Sequence, residues 1–407
     1  MKTKATRTFL LGLLLSSLLF SCDEKRKIAV NQLDSLVTGD SITDQNPGDT
    51  SVVKTSAPVN FDKKYDQIAR AISGIAQEKG SALAATDTTA SWKSFSTSFD
   101  SSWALIQGKR FSKMVDWRNS ELADVNTSTT DVFYPFSGPD VLNAFILFPK
   151  AKTYTLLALE PIGELPDFTA MSEKQKQEYY ISVELSLNDL LKKSYFITKN
   201  MLRDLQKHKV NGTLPLMCLF LKRTGNTIVD IKNVGIDTAG KVFERADSIK
   251  FKGSKGVRID FLVNGSNELR SIYYFKCDLG DDGIKANKGL GNYLKNLGTV
   301  HTYLKSASYL LHYKEFTTVR EAIFSKSDFI VQDDSGIAFH FFDQKKWKIT
   351  LYGKYAKPVV DFPHIKEPDL QAAYQKDSTI KPLPFELGYH WGTRANNMLK
   401  ATRIAIK

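Results

Sequence analysis

One run, residues 131–163 (DVFYPFSGPDVLNAFILFPKAKTYTLLALEPIG), constrains the fold of this chain more than any other. It is the densest apolar stretch beyond the N-terminus, and its order is readable. Residues 131–136 predict a short strand. Ser137, Gly138, Pro139 and Asp140 predict a turn that opens a helix, and residues 141–148 a short buried helix. Residues 154–159 then predict a strand with few polar atoms. A strand that is apolar on both faces belongs inside a sheet covered on both sides. The run therefore predicts a β-α-β unit at the core of a mixed α/β fold, with α+β as the alternative.

The N-terminus reads as an export signal. Lys2, Lys4 and Arg7 precede an apolar segment, residues 9–20, that is short for a bilayer span. It ends in Leu19-Phe20-Ser21-Cys22, which resembles the lipobox of bacterial lipoproteins. That resemblance implies cleavage before Cys22 and acylation of its thiol and new amine, with palmitate-type chains holding the protein on a membrane. Each buried CH₂ adds about 0.8 kcal/mol to such anchoring. Asp23 and Glu24 follow, where acidic residues act as sorting signals in some lipoproteins, so the membrane leaflet stays open. Residues 1–21 are thus expected to be signal, 22–60 a polar disordered tether, and 61–407 one globular α/β domain.

The whole chain carries +12, and loss of the signal, with three basic residues and no acid, leaves +9. That balance favours contact with anionic surfaces such as lipid headgroups or acidic glycans. No nucleic-acid module is recognisable, so nucleic acid is not an expected partner. Besides Cys22, two cysteines remain. Cys218 and Cys277 lie in apolar, strand-like surroundings, and the sequence leaves a disulfide and two buried thiols equally open.

Along the body, Phe61, Tyr65, Ile68, Ile72 and Ile75 fall at helical spacing, with Asn60 as a cap and Gly80 as a stop. Trp92, Phe95, Phe99, Trp103 and Ile106 form an aromatic stripe. Its opposite face is Ser and Thr rather than Lys and Arg, which predicts core packing over membrane contact. Ser172 and Gln175 match a capping box, and Ser186 with Asp189 suggests a second helix start before His208. From Thr213 the pattern predicts strands. Val257, Ile259, Phe261 and Val263 pair with residues 271–277 as a hairpin. Residues 294–312 and 316–324 read as helical. Strands are expected at 329–332, 338–342 and 347–352, with Asp333-Asp334-Ser335-Gly336 as a hairpin turn. Gly280-Asp281-Asp282-Gly283 is expected to be a turn, and Thr393 to cap a last helix containing Met398 and Leu399.

Chemistry is harder to read. Gly138 alone stands where a dinucleotide fold has three glycines, so no cofactor is expected. The histidines show no metal spacing, and no metal is expected. In open α/β sheets ligands bind beyond the strand C-termini. That makes Tyr134, Ser137, Asp140 and Glu160 the candidate ligand site, with Asp140 and Glu160 as acids for a hydrolase reading. His390 reads as part of a packed corner. No catalytic residue is assigned.

The segments FYPFSGPDVLNAFILFPKAKTYTLLALEPIG, QDDSGIAFHFF and PLPFELGYHWGTRANNML resemble those of a family of bacterial exported and lipid-anchored proteins. The resemblance spans about residues 61–407 and implies that the segments form one body. It carries no activity. The expectation is a lipid-anchored envelope protein that binds a ligand or partner without catalysis. A hydrolase of envelope glycan or peptide is the alternative. Oligomeric state stays open.

Overall fold

The first helix, α1 (Lys64–Ile72), buries Ile68, Ala69, Ala71 and Ile72. It ends at Gly74, whose φ of 62° supplies the left-handed turn that closes a helix, well before Gly80. α2 (Ala90–Ile106) buries the whole aromatic stripe, Trp92, Phe95, Phe99, Trp103 and Ile106, as its spacing predicts. A π-turn, Gln107–Phe111, joins it to α3 (Ser112–Glu121). β1 (Asp131–Pro135), α4 (Val141–Leu147) and β2 (Thr153–Ala158) follow, and β1 and β2 pair in parallel. All seven residues of α4 are buried, as a helix apolar all round must be. The computed structural model describes residues 61–405 except 194–209, 247–250, 252, 265, 267, 356–358, 360 and 394. The signal, the tether, Asn60, His208 and Arg394 lie outside the described residues.

After α5 (Glu173–Lys193) come α6 (Leu214–Arg223), β3 (Thr227–Ile236), β4 (Val242–Glu244) and the hairpin β5 (Lys255–Leu262) with β6 (Leu269–Lys276). α7 (Asp281–Ala286) and α8 (Lys288–Asn296) lead to β7 (Val300–Leu304), and α9 (Thr317–Lys326) leads to β8 (Ser327–Gln332). β9 (Trp347–Gly353), α10 (Pro368–Lys376) and β10 (Asn397–Arg403) complete the chain.

The ten strands form one mixed sheet in the order β4-β3-β5-β6-β2-β1-β7-β8-β10-β9. Its centre, β6-β2-β1-β7-β8, is parallel throughout. Both flanks are antiparallel. Two cores cover the two faces. Val132, Tyr134, Tyr154 and Leu156 face the core shared with α1 to α6. Phe133 and Leu157 face the core shared with α7 to α9. The mixed α/β architecture, the β-α-β unit, the β5–β6 hairpin and the capping box are as expected. In the box, Ser172 N–H donates to Gln175 Oε1 at 2.8 Å.

Several expectations are corrected. Residues 214–223, read as strand-like, form α6, every residue of which is buried. A continuous apolar run does not distinguish a buried strand from a buried helix, and here Pro215 starts a helix. The stretch from Leu294, read as helical, contains β7 at the middle of the sheet. Residues 339–341 form a 3₁₀ turn, not a strand. The turn after β8 is no hairpin, because β8 pairs with β7 and β10. The C-terminal helix is instead β10, inserted between β8 and β9, while the Thr393 hydroxyl donates to His390 O at 2.6 Å. Gly280 precedes α7 rather than forming a free turn. Ser186 starts no second helix, since its hydroxyl donates to Ser182 O at 2.8 Å inside α5. Cys218 and Cys277 are free buried thiols. They sit in opposite cores with the sheet between them, so the pairing left open by the sequence does not form.

Candidate functional site

Five parallel strands deliver their carboxyl ends to one edge of the sheet, the usual ligand edge of an open α/β fold. β10 runs the other way, so its first residues arrive at the same edge. The backbone there is unusual. Among the described residues, non-glycine φ values in the left-handed region occur only at Phe136, Ser306, Ser308 and Tyr309. All four follow β1 or β7. Such conformations cost about 1–3 kcal/mol each and persist only where surrounding contacts impose them.

The first centre lies between β1 and β7. Asp140 is the N-cap of α4, and its Oδ1 accepts from the Asn143 side chain at 2.8 Å. Its Oδ2 accepts from Tyr134 OH at 3.0 Å and lies 2.5 Å from Lys305 Nζ. The Lys305 and Asp140 side chains are 2% and 3% exposed, so this is a buried ion pair. Burial, and then the Asp140 charge, hold the Tyr134 hydroxyl well above its usual pKa. The ring of Tyr303 packs 4.7 Å from that of Tyr134, and its buried hydroxyl has no hydrogen-bond partner.

The second centre lies beyond β8. Asp333 accepts from Ser306 N–H at 3.0 Å, Ser335 N–H at 3.0 Å and the Ser335 hydroxyl. Asp334 accepts from Tyr309 OH at 2.7 Å, the Asn397 side chain at 3.1 Å and His390 Nε2 at 3.0 Å. Burial beside the Asp334 charge raises Asp333 above the ordinary carboxylate range. Burial pushes Asp334 the same way, but the hydrogen bonds from His390, Tyr309 and Asn397 outweigh it and hold Asp334 low. His390 is correspondingly raised: burial opposes its charge, and Asp334 more than restores it. Nearby, His312 Nε2 lies 3.4 Å from Glu367 Oε1. Burial pushes Glu367 up to about 8 and His312 down to about 4, so at neutral pH an uncharged acid faces an uncharged imidazole.

A C-terminal strap, residues 382–393, covers the second centre, where Tyr389 OH donates to Ser306 O at 2.9 Å. Gly388, at φ 63°, lies so close that a Cβ there would sit 2.6 Å from Asp333 Oδ2 and 3.0 Å from Ser306 Oγ. Between β8, α10 and the start of β10 remains a void of about 10 Å³ beside Asp333, Asp334 and Glu367. That is room for about one water. The acids are therefore enclosed and engaged with one another's neighbours.

Outside the strap, at the same edge, runs an open groove of about 860 Å³ between the π-turn, the end of β9 and residues 382–396. π-turns are frequent at functional sites because they re-aim side chains along a helix. This one turns Lys109 to the groove and buries Arg110 behind it. Burial lowers Arg110 to about 10, partly offset by the charges of Asp140 and Glu386. Arg110 thus stands between the groove and the first centre. Lys113 and Lys354 bring two more positive charges, while Ile106 and Phe385 supply an apolar floor.

Of the residues singled out from the sequence, Tyr134 and Asp140 come together. Ser137 is buried, but its hydroxyl donates to Gly138 O at 3.1 Å and makes no such contact. Glu160 is buried at the end of β2, where its carbonyl accepts from Tyr274 OH at 2.9 Å. It lies toward β6 and Asp140 toward β7, on opposite flanks of the β1–β2 pair. Sequence reasoning missed Lys305, because β7 was read as helix, and read Asp333 and Asp334 as part of a hairpin turn. It also missed Arg110 and the lysines, which carry no motif. Among the described residues, no three His, Cys, Asp or Glu side chains are grouped to hold a metal ion. No helix of these residues is long and apolar enough to cross a membrane. Compared with family models, curated proteins and solved structures, the chain gives no match.

Proposed function

We propose that this chain is a lipid-anchored bacterial envelope protein that binds an anionic ligand in the groove at the C-terminal edge of its sheet, without catalysis. One observation carries the reading: Lys109, Lys113 and Lys354 converge on that groove, are exposed, and make no ion pair among the described contacts. Buried charges nearby are matched at 2.5–3.0 Å, so the unmatched set stands out. The net positive charge left after loss of a signal agrees with an anionic partner. The lipobox-like Leu19-Phe20-Ser21-Cys22 supports attachment through Cys22.

The hydrolase alternative has acids at the strand ends, but Asp140 is held by Lys305, Tyr134 and Asn143. The void beside Asp333 and Asp334 is too small for a sugar or peptide. Two measurements test the proposal. Cys22→Ser moves the protein from the membrane to the soluble fraction; retention on the membrane rejects the anchor. Native co-purification retains an acidic molecule that is lost in Lys109→Gln/Lys113→Gln. A bound molecule indifferent to those lysines rejects the groove.

A further inference from the structure

Resting on that reading, we infer that the groove takes one anionic lipid. Its phosphate lies against Lys109, Lys113 and Lys354, and the start of its acyl chain against Leu105, Leu383 and Trp391. Lys109 and Lys113 are one turn apart on the helix, where like charges repel. Lys354 faces them from the end of β9, and Arg110 lies beneath. Glu386 is the acid on the described wall, but it already accepts from Gly392 N–H at 3.1 Å and faces Arg110. A phosphate would relieve the repulsion among the lysines.

Apolar surface lies beside the charge. Leu105 is 56% exposed and Trp391 40% exposed, both on the rim of the same groove. A free inorganic anion would use the lysines and leave this rim wet. An acidic sugar could stack on Trp391 but has no use for Leu105 and Leu383. An amphiphile covers both. Tryptophan beside lysine is also the pairing that settles at a headgroup layer. The size agrees: about 860 Å³ is within the range of small-molecule sites. The open side lets the remaining chain stay in the bilayer.

The test uses the mature chain carrying Cys22→Ser, so that no acyl group of its own competes. Monomeric dihexanoyl phosphatidylglycerol is expected to bind one to one and shift the emission of Trp391, with Trp391→Phe as the reference. The choline analogue should bind far more weakly. Glycerol phosphate, the headgroup without chains, should bind at least tenfold more weakly. Lys109→Gln/Lys113→Gln should weaken binding by about thirtyfold, from the typical contribution of a lysine near an anionic lipid surface. Leu105→Ser, at an exposed position, should weaken the lipid but not glycerol phosphate. Equal binding of glycerol phosphate and lipid overturns the lipid inference and keeps the anion-binding reading. So does lysine-dependent binding of oligogalacturonate with no binding of the lipid. Binding of none of the three overturns both.

Discussion

The inner centres and the outer groove share one edge of the sheet and treat charge in opposite ways. Inside, Asp140 meets Lys305 and Asp334 meets His390. Outside, three lysines face solvent with no acid matched to them. Burying an ion costs several kcal/mol unless a partner and hydrogen bonds restore it, so an enclosed site accepts only compensated charges. A wet groove tolerates uncompensated ones at little cost. The acids most prominent at the strand ends thus hold the edge together, while the lysines of the groove are left without a matched acid among the described contacts.

The comparison breaks most sharply at the buried pair. Asp140→Asn in a protein that used Asp140 only to cap α4 would cost about 0.5–1 kcal/mol. With Lys305 against it, the expected loss is about 3–5 kcal/mol, since a buried ammonium loses its carboxylate at 2.5 Å. Urea unfolding midpoints measure this, and Asp140→Asn/Lys305→Met should recover part of the loss. A cost below 1 kcal/mol would show that the pair is not the tie described.

Next is Gly388→Ala. Its left-handed φ and the approach of its Cβ to Asp333 predict a loss of about 1–3 kcal/mol by the same measurement. No loss would mean that the strap does not press on the second centre.

Glu367 sharpens the contrast through pH. Folded, it keeps its proton to about 8; unfolded, it releases it near 4.5. The folded state therefore binds more protons in between, and stability falls as pH rises. His312, held down to about 4, gives the opposite slope up to its ordinary pKa of 6.5. The two largely cancel below pH 6.5, and the fall emerges between pH 6.5 and 8. Over those 1.5 units it amounts to about 2 kcal/mol at most. Glu367→Gln should make the fall in thermal stability shallower across that window, leaving the fall of the same sign that the raised His390 contributes, and an unchanged slope would exclude Glu367 as a source.

The smallest stability effect belongs to the groove. Lys354→Gln should move the unfolding midpoint by no more than about 0.5 kcal/mol, as for surface changes generally, while lowering ligand retention. A large destabilisation would place Lys354 with the inner network instead.

Local pattern revealed part of this arrangement and concealed part. Tyr134 and Asp140 were readable because they flank a turn that opens a buried helix, all within ten residues. Lys305 was not, because Val300-His301-Thr302-Tyr303-Leu304 follows α8 closely and has no alternation. A strand buried on both faces needs none. β10 was misread for a related reason: its place between β8 and β9 depends on two distant hairpin partners. The lysines of the groove come from the π-turn, the first turn of α3 and a strand end more than two hundred residues away, and no motif links them.

The β-α-β centre, the inward aromatic stripe of α2 and the β5–β6 hairpin are written in local pattern, because each rests on periodicity and turn chemistry within a short window. Which charges are paired and which are left open was settled by the packing of distant segments. Pairing depends on distance and burial, and both are set by how β1, β7, β8 and the C-terminal strap meet at one edge. A lysine reads the same in the chain whether it ends 2.5 Å from a buried carboxylate, as Lys305 does, or in water, as Lys354 does.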